Sequence, residues 1–198
     1  MKIAILTFEG FNELDSFIAF GILNRLRSKG WNVQITSPSS IITSMNGVTI
    51  HTQQPLEFAN SADVVLFGSG IQTNEIANDS IILNSLSLNQ SHQLIGAQCS
   101  GTLLMAKMGL IGTMPACTDL TTKPLAQKAG INVIDAPFYA KDNLSTAGGC
   151  MSSQYLAAWV ITKLMNEKEA AEAIYYVAPV GQKDEYVDRI MKVVKPFI

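Results

Sequence analysis

The sequence predicts one α/β domain in which a mainly parallel β-sheet lies between helices on both faces. Its 198 residues fall within the roughly 100–200 residues of a typical domain. Hydrophobic residues make up 47% of the chain and charged residues 15%, which is enough apolar material for a full core. Strand-length apolar runs alternate with segments of helical periodicity, and this order favours right-handed crossovers and a parallel sheet. We therefore treat residues 1–198 as a single domain.

The composition also excludes several classes of partner. The net charge of −2 and the absence of a Lys/Arg cluster argue against nucleic acid. No apolar run approaches the ~18 residues of a membrane span, and the run at the N-terminus is too short for a secretion signal. The three cysteines have no CxxC spacing, so they predict neither a disulfide framework nor a zinc knuckle. We expect a cytoplasmic protein that binds neither membranes nor nucleic acid.

The N-terminal half begins with a strand and a helix. Ile3–Phe8 is a nearly continuous apolar run, which is typical of a central strand covered on both faces. Apolar residues then recur at helical spacing from Leu14 to Leu26, and Gly30 marks the end of that helix. Further strands are predicted at 31–35 and 62–67, with a peripheral hairpin whose strands, 41–42 and 48–50, flank Asn46-Gly47.

The C-terminal half continues the alternation of strands and helices. Helices are predicted at 81–88, 100–108, 121–129, 151–165, 170–176 and 185–194, and strands at 94–97, 131–134 and 144–146. Reactive groups in such folds lie at the carboxyl ends of the strands. The loops after Phe8, Phe67, Ala97 and Cys117 should therefore meet at one crevice.

Cys99 lies at a predicted joint between a strand and a helix, in the segment Ala97-Gln98-Cys99-Ser100-Gly101. This is the arrangement of a nucleophile elbow, with Cys in place of Ser. The start of a helix stabilises a thiolate, so we expect an acidic, nucleophilic thiol. The alternative is a small buried cysteine that only packs. Cys117 and Cys150 lack this setting and are expected to be packing residues.

The turn Gly68-Ser69-Gly70 ends another buried strand. Its backbone N–H groups could face a developing negative charge near the thiol and form an oxyanion hole. An ordinary tight loop is the alternative.

Together these motifs resemble those of a known family. The residues that carry the resemblance are Glu13-Leu14-Asp15 after Gly10, the turn Gly68-Ser69-Gly70, the segment 97–101, and Leu144-Ser145-Thr146-Ala147-Gly148-Gly149 before a long helix. They resemble the ThiJ/PfpI family of the class I glutamine amidotransferase-like superfamily. The resemblance implies a flavodoxin-like parallel-sheet sandwich with a cysteine nucleophile elbow, and a carboxylate from the loop after the first strand.

The Leu14-Asp15 pair looks most like the isonitrile hydratase branch of that family. This resemblance implies that Cys99 is the nucleophile, that Asp15 assists it, and that Ser100 supplies a hydroxyl where the usual residue is Thr. Relatives form dimers, so the resemblance also implies a homodimer. The expected partner is a small-molecule substrate, and no cofactor is expected.

One departure from the family concerns Asp119. Many relatives have a histidine twenty residues after the elbow cysteine, where this chain has Asp119. His51 and His92 are expected to be surface residues. If Asp15 and Asp119 both approach Cys99, three negative charges cannot share a small desolvated site, so a carboxyl must be protonated or the thiol neutral.

Both carboxylates also have a structural interpretation. Asp119 could cap a helix, and Asp15 could be a first-turn residue that the helix dipole favours.

Our leading functional hypothesis is a cysteine-dependent lyase or hydrolase that hydrates an isonitrile to an N-substituted formamide. The alternatives are glyoxalase or deglycase-like activity, amidase or peptidase-like activity, a redox sensor that oxidises Cys99, and a small-ligand-binding protein. No metal is expected, because Asp15, Cys99 and Asp119 offer one sulfur and no imidazole.

Overall fold

The structure is a computed structural model that describes residues 1–198. Its strands are β1 (Lys2–Leu6), β2 (Asn32–Ser37), β3 (Ile41–Thr43), β4 (Thr49–His51), β5 (Gln54–Pro55), β6 (Val64–Phe67), β7 (Leu94–Gln98), β8 (Phe138–Lys141) and β9 (Leu144–Ala147). Its α-helices are α1 (Glu13–Leu23), α2 (Thr73–Ile76), α3 (Ser80–Ser85), α4 (Gly101–Lys107), α5 (Lys123–Lys128), α6 (Ser153–Leu164), α7 (Glu167–Val177) and α8 (Lys183–Val194).

Seven strands form one sheet in the order β5–β2–β1–β6–β7–β9–β8, and all neighbours are parallel except β8 and β9. The hairpin of β3 and β4 forms a separate two-stranded sheet. The predicted α/β class, the central position of the first strand and the peripheral hairpin are confirmed. None of the helices combines the length and apolar character that a membrane crossing requires.

The alternation of side chains along each strand creates two cores. Ile3 and Ile5 of β1 pack under α1, α6, α7 and α8, whereas Ala4 and Leu6 pack with α2, α4 and α5 on the opposite face. All four side chains are at most 1% exposed. This explains the continuous apolar run in the sequence, since neither face of the central strands meets water.

The predicted strand at 131–134 is wrong. Only Val133 makes a β-type contact there, a single parallel bridge to Ala116. The edge of the sheet beside β9 is instead occupied by β8, which joins β9 through a tight turn with Asp142 in the left-handed region at φ +55°. The polar pair Asp142-Asn143 between two apolar segments is typical of a hairpin turn, and this pattern indicates the pairing of β8 with β9.

Several element ends also differ from the prediction. The first strand stops at Leu6 rather than Phe8, and α1 ends at Leu23, after which the chain continues as a 3₁₀ helix over Asn24–Lys29. Gly30, at φ +84°, then ends this segment as predicted. The short elements α2 and β5 were not predicted.

Candidate active site

A cleft of about 470 Å³ lies at the carboxyl ends of the central strands. Its walls include Asn12 after β1, Ser69 after β6, Cys99 and Ser100 after β7, Asp119, and Cys150 after β9. The predicted convergence of loops on one crevice is therefore confirmed. The loop after β9 joins them, because β7 pairs with β9 and places Gln98 opposite Ala147.

Cys99 occupies a sharp elbow between β7 and α4. Its backbone has φ +54°, one of two non-glycine residues in the left-handed region. Its N–H donates to the carbonyl of Ala147 at 2.8 Å, and its carbonyl accepts from Thr118 Oγ1 at 2.8 Å. A Cβ on Gly101 would lie 2.5 Å from the carbonyl oxygen of Gly68, so the second residue after Cys99 must be glycine. These contacts hold the strained residue in place.

Asp15 lies beside Cys99 and belongs to the first turn of α1. The side chain of Asn12 caps this helix by accepting from the N–H of Leu14 at 3.1 Å. Asp15 is only 2% exposed; its Oδ2 accepts from Ser69 Oγ, whereas Oδ1 has no hydrogen-bond partner in the protein. Burial raises the pKa of Asp15, and the hydrogen bond from Ser69 opposes this rise. A first-turn position alone would not require this burial.

Cys150 is part of the same cluster, so our prediction that it only packs is wrong. Its sulfur, the Cys99 sulfur and a carboxylate oxygen of Asp15 all lie within 4.8 Å of one another. Asn12 Nδ2 also donates to the Cys150 sulfur at 3.2 Å. The sequence did contain a signal: a strand, two glycines and a helix surround Cys150, much as a strand and a helix surround Cys99.

Cys117 differs from the other two cysteines. It is fully buried, its N–H donates to Thr146 Oγ1 at 2.8 Å, and burial raises the pKa of its thiol to about 11. The prediction that it is a packing residue is confirmed.

Asp119 both caps a helix and lies near Cys99, which are the two positions that the sequence analysis considered. Its Oδ1 accepts from the N–H groups of Thr121 and Thr122, each at 2.9 Å, so it caps the turn that leads into α5. Its Oδ2 is buried without a partner, and the residue lines the cleft beside Cys99.

The charge distribution around Cys99 contradicts the predicted acidic thiol. Burial raises the pKa of Cys99, and the carboxylates of Asp15 and Asp119 raise it further. The start of α4 does not overcome these two effects. The structure therefore favours a neutral Cys99 thiol, which is one of the two outcomes that the crowding of negative charges allowed.

The turn at 68–70 provides fewer donors than predicted. The N–H of Gly68 donates to the carbonyl of Leu6 at 2.9 Å and is unavailable to a ligand. The N–H groups of Ser69 and Ser100 donate to no acceptor within the protein. An oxyanion hole at this site would therefore use Ser69 and Ser100, not Gly68.

Ser100 is linked to a residue that the sequence analysis missed. Its hydroxyl lies 2.8 Å from Thr73 Oγ1. The N–H of Gly70 donates to Thr73 Oγ1 at 3.1 Å and to Ser100 Oγ at 3.4 Å. Thr73 begins the unpredicted helix α2, which explains why it was missed.

The two histidines, His51 and His92, are exposed and do not line the cleft. The prediction that both are surface residues is confirmed. The acid–base groups that do line the cleft are carboxylates and thiols.

Comparison with known proteins identifies the family and the fold. A family model described as the DJ-1/PfpI family matches residues 1–163. Drosophila melanogaster DJ-1beta has a similar structure, with 20% identity, a TM-score of 0.77, and coverage of 89% of this chain and 96% of that chain. No curated protein sequence matches the chain.

Two further solved structures show the same fold. Toxoplasma gondii DJ-1 in an oxidised form has 17% identity and a TM-score of 0.73, covering 89% of this chain and 97% of that one. A ThiJ/PfpI family protein from Pseudomonas syringae has 17% identity and a TM-score of 0.76, covering 98% of this chain and 87% of that one.

Proposed function

The chain belongs to the DJ-1/PfpI family, and from this premise we propose that it is a cysteine-dependent enzyme that adds water to an isonitrile to form an N-substituted formamide. The observation that supports the proposal most strongly is the buried Asp15 carboxylate beside the Cys99 thiol. This pair provides a nucleophile, a proton and a proton acceptor in one small cleft.

The first half of the reaction suits a neutral thiol. The terminal carbon of an isonitrile must gain a nucleophile and a proton at the same atom. As the Cys99 sulfur bonds to this carbon, Asp15 accepts the thiol proton and returns it to the carbon. The product is a thioimidate on Cys99, and Asp15 is again a carboxylate. The raised pKa of Cys99 keeps this proton available at neutral pH.

Water completes the reaction. Asp15 removes one proton from water as the water oxygen bonds to the thioimidate carbon, and it passes this proton to the substrate nitrogen. Asp15 then accepts the second proton from the new hydroxyl on that carbon. The carbon–sulfur bond then breaks, the sulfur leaves as thiolate and takes the proton from Asp15, and the formamide is released. The free N–H groups of Ser69 and Ser100 would stabilise the developing charge on the new oxygen.

The proposal is tested by incubating the protein with a panel of alkyl and aryl isonitriles and measuring formamide. We expect formation by the wild type and by Cys117→Ala, whose cysteine lies outside the cleft. We expect none above background with Cys99→Ala. Absence of formamide across the panel, with protein that is folded and has Cys99 reduced, would overturn the substrate assignment.

The expected homodimer remains a prediction. Sedimentation equilibrium at several protein concentrations would test it, and a monomeric mass throughout would contradict it.

A further inference from the structure

We propose that Asp15, Cys99 and Cys150 also form a binding site for a zinc ion. This site shares Asp15 and Cys99 with the proposed hydration, but zinc binding does not require that activity. The three residues come from α1, the elbow and the loop after β9, which are distant in sequence and meet in the cleft.

The donor atoms have the chemistry and spacing that zinc requires. Two sulfurs and a carboxylate oxygen lie within 4.8 Å of one another. In a tetrahedral zinc site, bonds of about 2.3 Å to sulfur and 2.0–2.2 Å to oxygen place neighbouring ligand atoms roughly 3.5–3.8 Å apart. Side-chain rotations that bring these atoms about 1 Å closer would complete three of the four positions. Thiolates favour zinc over magnesium or calcium.

The carboxylate provides an independent indication. Asp15 is 98% buried, and the only side chains that donate to its carboxylate are Ser69 and the two thiols of the cluster, with no close donor at Oδ1. A buried acceptor without a partner is costly, and a cation would provide the missing interaction. Asp119 Oδ2 is also buried without a partner and lines the same cleft.

The proposal departs from the sequence-based expectation that no metal binds. That expectation depended on a single sulfur in the cluster, and Cys150 supplies the second. The amide of Asn12, which donates to the Cys150 sulfur at 3.2 Å, would orient this ligand.

Zinc binding must displace the proton of each thiol, because thiolates are the ligands. The affinity should therefore rise with pH, and binding should release one proton from Cys99 and one from Cys150. Bound zinc would also occupy the Cys99 sulfur and reversibly block its alkylation.

Cobalt(II) provides a direct readout, because thiolate ligands produce a charge-transfer band and tetrahedral geometry produces intense visible bands. The reduced protein would be titrated with Co²⁺, followed by competition with Zn²⁺. We expect one Co²⁺ per chain, both sets of bands, and their loss when zinc is added. Cys117→Ala serves as the matched control and should keep the bands.

Cys150→Ala removes one ligand without changing the elbow. We expect it to weaken binding by more than the roughly 10–100-fold that loss of an outer-shell partner costs, and to reduce the charge-transfer band. Circular dichroism would check that the variant is folded. Failure of the folded wild type to produce the thiolate band would overturn the proposal. Equal binding by wild type and Cys150→Ala would also overturn it. Neither result depends on formamide production, so the two proposals fail separately.

Discussion

Gly101→Ala should damage the elbow through a backbone collision. A Cβ at this position would lie 2.5 Å from the carbonyl oxygen of Gly68 and 2.7 Å from that of Phe67. Ordinary contact begins at 3.4 Å, so the start of α4 and the end of β6 must separate by about 0.9 Å. Neither obstacle is a flexible side chain. We expect a loss of about 1–3 kcal/mol in the free energy of unfolding, which is typical of overpacking.

The same displacement should affect turnover, because Ser100 and Cys99 move with the start of α4. A misplacement near 1 Å can cost about 100-fold in rate. Unfolding would be followed in urea by the fluorescence of the buried Trp31 and Trp159, and turnover by formamide production.

Gly21→Ala is the matched control for this prediction. A Cβ at Gly21, within α1, would meet nothing within 4 Å. This substitution should stabilise the protein by roughly 0.5–1 kcal/mol, because alanine loses less conformational entropy in a helix. Gly101→Ala with wild-type stability and turnover would refute the argument, as would equal destabilisation by both substitutions.

Four other substitutions test individual residues. Asp15→Asn should lower formamide production by about 10²–10⁴-fold, since amides cannot accept the proton. Because burial raises the pKa of Asp15 in the folded state, ionisation of Asp15 costs stability as the pH rises above the unperturbed value of 3.8. In urea unfolding, Asp15→Asn should therefore be more stable than wild type at pH 7 by about 0.5–2 kcal/mol, and this advantage should vanish near pH 3; equal stability at pH 7 would contradict the argument. Ser69→Ala removes a hydrogen bond that lowers the pKa of Asp15, so the acid limb of the activity profile should move to higher pH; a shift to lower pH would oppose the assigned contact. His51→Ala and His92→Ala should leave turnover unchanged, whereas a marked loss in either would indicate a histidine base.

The central strands and the elbow were predictable because local physics determines them. Residues 3–6 and 64–67 are apolar on both faces, and this pattern indicates parallel strands that are buried on both faces of the sheet. Gly101, two residues after Cys99, likewise indicates that another backbone segment lies close to the elbow. The prediction failed at 131–134, where the chain makes only a single bridge to Ala116, and β8 takes the position beside β9. Strand order is a property of the whole chain, and a local pattern does not contain it.

The composition of the site was predictable only in part. Cys99, Ser69 and Ser100 line the cleft, and Asp15 lies beside Cys99, as the motifs indicated. Cys150 was missed because it reaches Cys99 only through the pairing of β7 with β9, across about fifty residues of sequence. The predicted acidic thiol was wrong because the pKa of Cys99 depends on the depth of its burial and on its distances from Asp15 and Asp119, and no local sequence pattern contains these.

The most direct test of the account is the pH dependence of Cys99 alkylation, resolved by mass spectrometry from Cys117 and Cys150. The account predicts a midpoint above the roughly 8.5 of an ordinary thiol, because burial and two carboxylates oppose ionisation. It also predicts a lower midpoint in Asp119→Asn, since one of these charges is removed. A midpoint below that of an ordinary thiol, unchanged in Asp119→Asn, would contradict the central claim that Cys99 is a neutral thiol beside two carboxylates.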